Sequence, residues 1–184
     1  MENVLPVKNL FLGIDPGLSG AWAIIDTYEQ IKYAGLFTGI TILTEITYDK
    51  IACACIEQVH AMPGQGVTSM FTFGTNYGMW LGALEALHIP YILCTPQRWQ
   101  KTILDTIPSK EVPNVHATPK EDSARRARNQ KLLKEHIVQF VHRYFAGSAA
   151  RFIQHKKDWG IADALCMALY AKRMLTTPET TPRS

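Results

Sequence analysis

The sequence predicts an α/β fold in which a mixed β-sheet carries helices on its faces. Two observations lead there. Three strand-like runs form a meander at the N-terminus, and apolar strand-like runs then alternate with helical stretches. The 184 residues suit one domain, placed over residues 1–175, with a Pro/Thr-rich tail over 176–184 that is expected to be disordered. The balance of 47% hydrophobic and 19% charged residues is that of a globular chain rather than a disordered or collagen-like one.

Residues 8–15 and 19–27 read as strands joined by the Pro16-Gly17 turn, and residues 31–37 as a third strand after the polar break Tyr28-Glu29-Gln30. Residues 51–57 are a continuous apolar run ending in Glu57, which predicts a central strand buried on both faces. A Pro/Gly loop over 62–67 precedes a helical pattern over 69–87. That pattern carries Gly74, Gly78 and Gly82 at four-residue spacing. Each mid-helix glycine costs about 1 kcal/mol relative to alanine, so the stripe is expected to pack closely against the sheet. Residues 91–94 read as a fifth strand, parallel to the fourth. Thr95 as N-cap and Pro96 at the first helical position open a short helix. A long loop over 105–118, an amphipathic helix over 119–144 and a last helix over 158–174 complete the chain.

The net charge of +3 and pI near 8.7 permit a polyanionic partner without requiring one. Cys53, Cys55, Cys94 and Cys166 sit inside apolar runs without a CxxC pair or a signal peptide, and are expected to be reduced core thiols in an intracellular protein. No apolar run approaches the roughly 20 residues that cross a bilayer, so no membrane partner is expected. The lack of an Arg/Ser-rich transit segment favours a cytoplasmic bacterial, phage or viral protein, with a processed organellar protein as the alternative.

Three acidic residues stand out against this frame. Asp15 ends one apolar run just before another begins, in a setting that would also suit a plain turn. Glu57 ends the fourth strand. Asp163 interrupts the apolar face formed by Ile161, Ala164, Leu165, Ala168 and Leu169. Carboxylates without clustered His or Cys point to hard divalent ions, magnesium or manganese, rather than zinc.

With Asp15 on the first strand, Glu57 ending the fourth, and Asp158 and Asp163 beside the last helix, the chain resembles the RuvC-like Holliday junction resolvases of the ribonuclease H-like superfamily. The resemblance covers most of the chain. It is carried by GIDPGLSG (13–20), IEQVHAMPGQG (56–66), FGTNYGMWLGALEALHIPY (73–91), TPQRWQKTI (95–103) and KKDWGIADALCMALYA (156–171), in the family's order. The spacing of the last segment is similar to the organellar and phage branches. The resemblance implies a five-stranded ribonuclease H-like mixed sheet flanked by helices. It also implies a homodimer that binds four-way or branched DNA and makes paired nicks with two Mg2+ or Mn2+ ions per site.

Two divalent ions about 3.5–4 Å apart can activate a water and stabilise the leaving oxygen of a phosphodiester. On this reading Asp15 bridges the ions, and Glu57 and Asp163 complete one site each. Asp158 is the fourth candidate ligand. Five residues rotate a helix by about 500°, which leaves Asp158 and Asp163 about 140° apart, so Asp158 must lie before the helix or at its N-cap. A plain cap is its alternative role. Many relatives carry a ligand three residues before the last aspartate, where this chain has Gly160.

Phosphates approach carboxylates only where positive charge accompanies them. Lys156 and Lys157 lie beside Asp158, Arg98 and Lys101 on the short helix, and Lys120, Arg125, Arg126, Arg128, Lys131 and Lys134 on the long one. His60, after Glu57, stands where relatives often have an aromatic and is a candidate DNA wedge; Phe71 and Phe73 are expected in the core. Two other functions remain open to these residues: a junction-binding protein without catalysis, and a broader nuclease of branched DNA or RNA–DNA hybrids.

Overall fold

The computed structural model describes residues 9–17, 20–39, 50–58, 66–113, 115 and 117–176. The strands β1 (Leu10–Asp15), β2 (Ala21–Asp26), β3 (Ile31–Leu36), β4 (Ile51–Glu57) and β5 (Tyr91–Cys94) form one sheet in the order β3-β2-β1-β4-β5. The meander β1-β2-β3 is antiparallel, whereas β4 pairs parallel with β1 and β5 pairs parallel with β4. The mixed sheet and the parallel fifth strand are therefore as predicted.

The helices are α1 (Val67–Ala86), α2 (Pro96–Ile103), α3 (Pro119–Tyr144) and α4 (Trp159–Thr176). Alternation along β1 sorts its side chains onto two faces. Leu10, Leu12 and Ile14 pack with Trp80 and Leu84 of α1, while Phe11 joins α2, α3 and α4 on the other face. The central helix is α4, which is buried from Ile161 through Ala171. All four cysteines are free and buried. The capping box of α3 is complete: Thr118 accepts from the Glu121 N–H and the Glu121 carboxylate accepts from the Thr118 N–H. Thr95 holds the N-cap position of α2, but its side chain makes no capping bond there; Pro96 alone starts the helix as expected.

The glycine stripe is not where the sequence places it. An added Cβ at Gly74, Gly78 or Gly82 would meet nothing within 4 Å, so these glycines face away from the sheet. Phe71, Gly74, Thr75, Gly78, Met79 and Gly82 follow one another at helical spacing and are all exposed, Phe71 to 77%. The expected burial of Phe71 is thus corrected. The physical reason is that Trp80 and Leu84, on the opposite side of α1, cover the sheet and leave the glycines outside.

The close helix–sheet approach occurs at Gly13 instead. A Cβ there would lie 1.8 Å from the Ala164 carbonyl oxygen and 2.5 Å from the Ala168 nitrogen. Gly13→Ala is therefore expected to push α4 off β1 and to destabilise the protein by roughly 3 kcal/mol, read by urea unfolding. A variant as stable as the parent would show that α4 has room to move.

Candidate active site

Register brings Asp15 and Glu57 together, and α4 lays Asp163 on the same face of the sheet. β1 and β4 run parallel with Ile14 opposite Ile56, so Asp15 and Glu57 follow side by side at adjacent strand ends. On β4 the alternate residues Cys53 and Cys55 lie in the core against α4, and Glu57 shares their face; on β1 the same holds for Phe11, Gly13 and Asp15. Asp163 sits in the second turn of α4, which lies on that face and is itself buried. The loop after β1 is held in two ways. Asp15 Oδ1 accepts from the Gly17 N–H at 3.0 Å, and Asn76 Nδ2 of α1 donates to the Gly17 carbonyl at 3.3 Å.

The electrostatics follow from crowding. Burial pushes the Asp15 carboxyl above its ordinary range, against the opposing pull of the Lys134 charge and the Gly17 N–H. Burial, and then the charge of Asp15, push Glu57 upward; a bond from the indole Nε1–H of Trp99 to Glu57 Oε1, 3.0 Å long, and the Lys134 charge oppose the rise. Lys134, on α3, is ion-paired with Asp163 Oδ2. The other oxygen, Asp163 Oδ1, is buried with no hydrogen-bond partner. Among the described residues no three acidic, His or Cys side chains converge closely enough to hold a metal as they stand. The cation among these carboxylates is the Lys134 ammonium.

Above them opens a cleft of about 660 Å³, with Glu57 and Asp163 in its lining, Lys131, Lys134 and Lys156 around it, and Trp99 and Trp159 as apolar walls. Lys156 lies over the Trp159 ring, 5.9 Å from its centroid.

Asp158 lies in the short 3-10 turn Lys156–Asp158, just before α4. Its Oδ2 accepts from the backbone N–H groups of His155 at 2.9 Å and Gln154 at 3.2 Å, and these bonds hold its carboxyl below the usual range. Asp158 thus closes the start of the 3-10 turn as its third residue, with His155 at the N-cap, and its bonds reach back to the residues before the turn rather than to the first turn of α4. The sequence-predicted basic residues divide into two groups. Arg125 and Arg126 both pair with Asp122, and Arg128 pairs with Glu111. Among the described residues Arg98, Lys101, Lys120, Lys156 and Lys157 are exposed and make no ion pair. His60 lies outside the described residues.

Trp99 was not among the predicted site residues. The available signal was a single large aromatic in a polar eight-residue helix, four residues before Ile103, which gives α2 one buried edge. Lys134 was visible only as one charge in a basic run; its special position comes from the way α3 crosses α4.

The sheet order, the helices on both faces and the site at the ends of β1 and β4 define a ribonuclease H-like fold of the RuvC type. Among the solved structures that share it are Thermus thermophilus RuvC in complex with a Holliday junction substrate, with a TM-score of 0.57 and 13% identity over 88% of this chain and 90% of that one, and a second Thermus thermophilus RuvC structure, with a TM-score of 0.50 and 17% identity over 91% and 97%. No protein-family model and no curated protein matches the sequence.

Because the Lys134 side chain is 40% exposed, solvent screens its pair with Asp163. Lys134→Met is expected to cost about 1 kcal/mol of stability at neutral pH, with part of it recovered by adding Asp163→Asn. Urea unfolding of the parent, both single variants and the double variant measures that coupling, and strictly additive effects would show that the pair contributes nothing.

Proposed function

We propose that this protein is a structure-selective endodeoxyribonuclease that resolves four-way DNA junctions by metal-dependent phosphodiester hydrolysis. One observation carries the reading: Glu57 and Asp163 line a lysine-bearing cleft, Asp15 lies beside Glu57 at the adjacent strand end, and the buried Asp163 Oδ1 is left without a partner. The shared fold with a RuvC structure that holds a Holliday junction adds to it.

The donor set fits hard divalent cations, magnesium or manganese. It is all oxygen, the neighbouring Asp15 and Glu57 carboxylates gain from added positive charge because burial disfavours their ionised forms, and one buried oxygen of Asp163 lacks any partner. Asp15, Glu57 and Asp163 would hold the ions, which when bound supply an activated water and neutralise charge at the leaving oxygen. The chain's own residues do the rest. Lys156, Arg98 and Lys101 attract the phosphates; Lys134 exchanges its carboxylate partner for a phosphate oxygen; Trp99 and Trp159 keep the wall of the cleft apolar. Asp158 braces the entry to α4 rather than binding an ion.

Paired nicks need two sites. The uncharged exposed face of α1, from Phe71 to Gly82, is the surface we assign to a second copy of the chain, since its glycines allow two helices to approach closely.

Cleavage of a synthetic four-way junction in Mg2+, against linear duplex and RNA–DNA hybrid, tests the reading. Asp15→Asn and Asp163→Asn should abolish nicking, whereas Asp158→Asn should retain it with a lower melting temperature. Junction binding without nicking by the parent would favour a binding protein, and equal cleavage of hybrid a broader nuclease. For the dimer, Gly78→Glu should give a monomer in sedimentation without loss of melting temperature. A parent that is already monomeric at micromolar concentration would overturn the assignment.

A further inference from the structure

We infer that Trp99 is a positioning residue for Glu57: its indole N–H, donated to Oε1, fixes the carboxylate so that its remaining lone pairs serve a divalent cation. The inference rests on the metal reading proposed above and concerns a residue outside the carboxylate set.

The structure supplies three reasons. The first is rigidity. Trp99 is 1% exposed and belongs to the core cluster with Ile103 and Leu104, so its ring is held by packing. Its helix is fixed in turn, by Pro96 at the start and by the Arg173 guanidinium of α4, which donates to the Thr102 carbonyl at 2.7 Å. The 3.0 Å bond to Glu57 is therefore made from a fixed donor onto a side chain that would otherwise swing at a strand end.

The second is the chemistry of the donor. An indole N–H donates one bond, accepts none and does not titrate, so it can neither take a proton from Glu57 nor compete with it for a cation. It satisfies one lone pair of Oε1 and leaves Oε2 without a bond from this group. Ligating carboxylates characteristically carry such an outer hydrogen bond, and its loss weakens metal binding by about 10- to 100-fold.

The third is that burial alone does not dictate the bond. Trp80, as deeply buried in the same protein, leaves its Nε1 without a partner. An aromatic filler at position 99 would need no donor at all. The N–H of Trp99 is thus a specific feature of the cleft wall, placed on the carboxylate that ends β4 and lines the cleft.

The test uses the full chain and Mn2+ alone, with free Mn2+ read by electron paramagnetic resonance. Trp99→Phe keeps an aromatic side chain, though a smaller one, and removes the N–H; it should bind Mn2+ about tenfold more weakly than the parent. A variant that melts earlier but binds Mn2+ as tightly as the parent overturns the inference, because a filler role moves only stability. The unaltered protein gives an independent measurement. The Trp99 indole 1H–15N resonance, assigned through its contacts in the core, should shift during an Mg2+ titration, and a static resonance while other site resonances shift overturns the inference even if the variant does not fold. A parent that binds neither ion removes the metal reading itself, and with it this inference, which separates the two failures.

Discussion

The arrangement of this protein depends on the contact of the α4 backbone with β1 at Gly13. A side chain at that position would occupy the space of the Ala164 carbonyl, so only glycine lets the helix lie directly on the central strand. The consequence reaches the site within two residues. Asp15 follows Gly13 on the same strand face, and Asp163 precedes Ala164 on the helix. The approach that glycine permits therefore brings a strand carboxylate and a helix carboxylate to the same lysine, Lys134, which pairs with Asp163 and acts on Asp15. The apolar surroundings, Ile161 to Ala171 on the helix and the alternate residues of β1 and β4 on the sheet, hold that geometry by burial.

Carboxylates gathered this way repel one another, and the protein answers with a cation. Lys134 comes from α3, a helix whose own anchorage is Ile137, Phe140 and Val141 on the core and a complete capping box at its start. Its ammonium pairs with Asp163 and acts on Asp15 and Glu57. A fixed lysine compensates the acids without closing the cleft, and one oxygen of Asp163 still lacks a partner. Such a site is compensated but not saturated, which is the electrostatic condition under which carboxylates accept further positive charge.

Much of this was legible in the sequence, and the exceptions share a cause. The five strands, the parallel pairing of β4 and β5, the acids ending β1 and β4 and the acid inside the last helix follow from local patterns: apolar runs, turn residues, and charge where apolar periodicity breaks. Residue spacing also placed Asp158 before the last helix, where it now accepts two backbone N–H bonds. The glycine stripe of α1 faces outward although its spacing predicts contact with the sheet, because spacing identifies a helix face without saying what that face meets. Small residues mark close approach, and the partner of the approach is a tertiary fact. Trp99 and Lys134 escaped for the same reason, since each acquires its meaning from a residue far away in sequence: Trp99 from Glu57, Lys134 from Asp163.

The basic residues show how a tertiary fact changes a charge count. Arg125, Arg126 and Arg128 form the densest positive run in the chain, yet Asp122 and Glu111 take all three, and Arg125 also donates to the Glu111 carbonyl at 3.0 Å. Their work is to strap the segment before α3 onto the helix, and their outward field is largely cancelled by their partners. Among the described basic residues that the sequence singles out, those without an ion pair are Arg98, Lys101, Lys120, Lys156 and Lys157, and all but Lys120 come from α2 and the turn before α4, the two elements that border the cleft. Density along the chain pointed to α3, whereas most of the charge without a partner lies on the segments that carry Trp99 and lead into Asp163. For a polyanion, attraction depends on net field rather than on the number of basic side chains. Lys156 is the one of these that lines the cleft itself, beside Glu57 and Asp163, so an unpaired positive charge stands where a phosphate would meet the carboxylates.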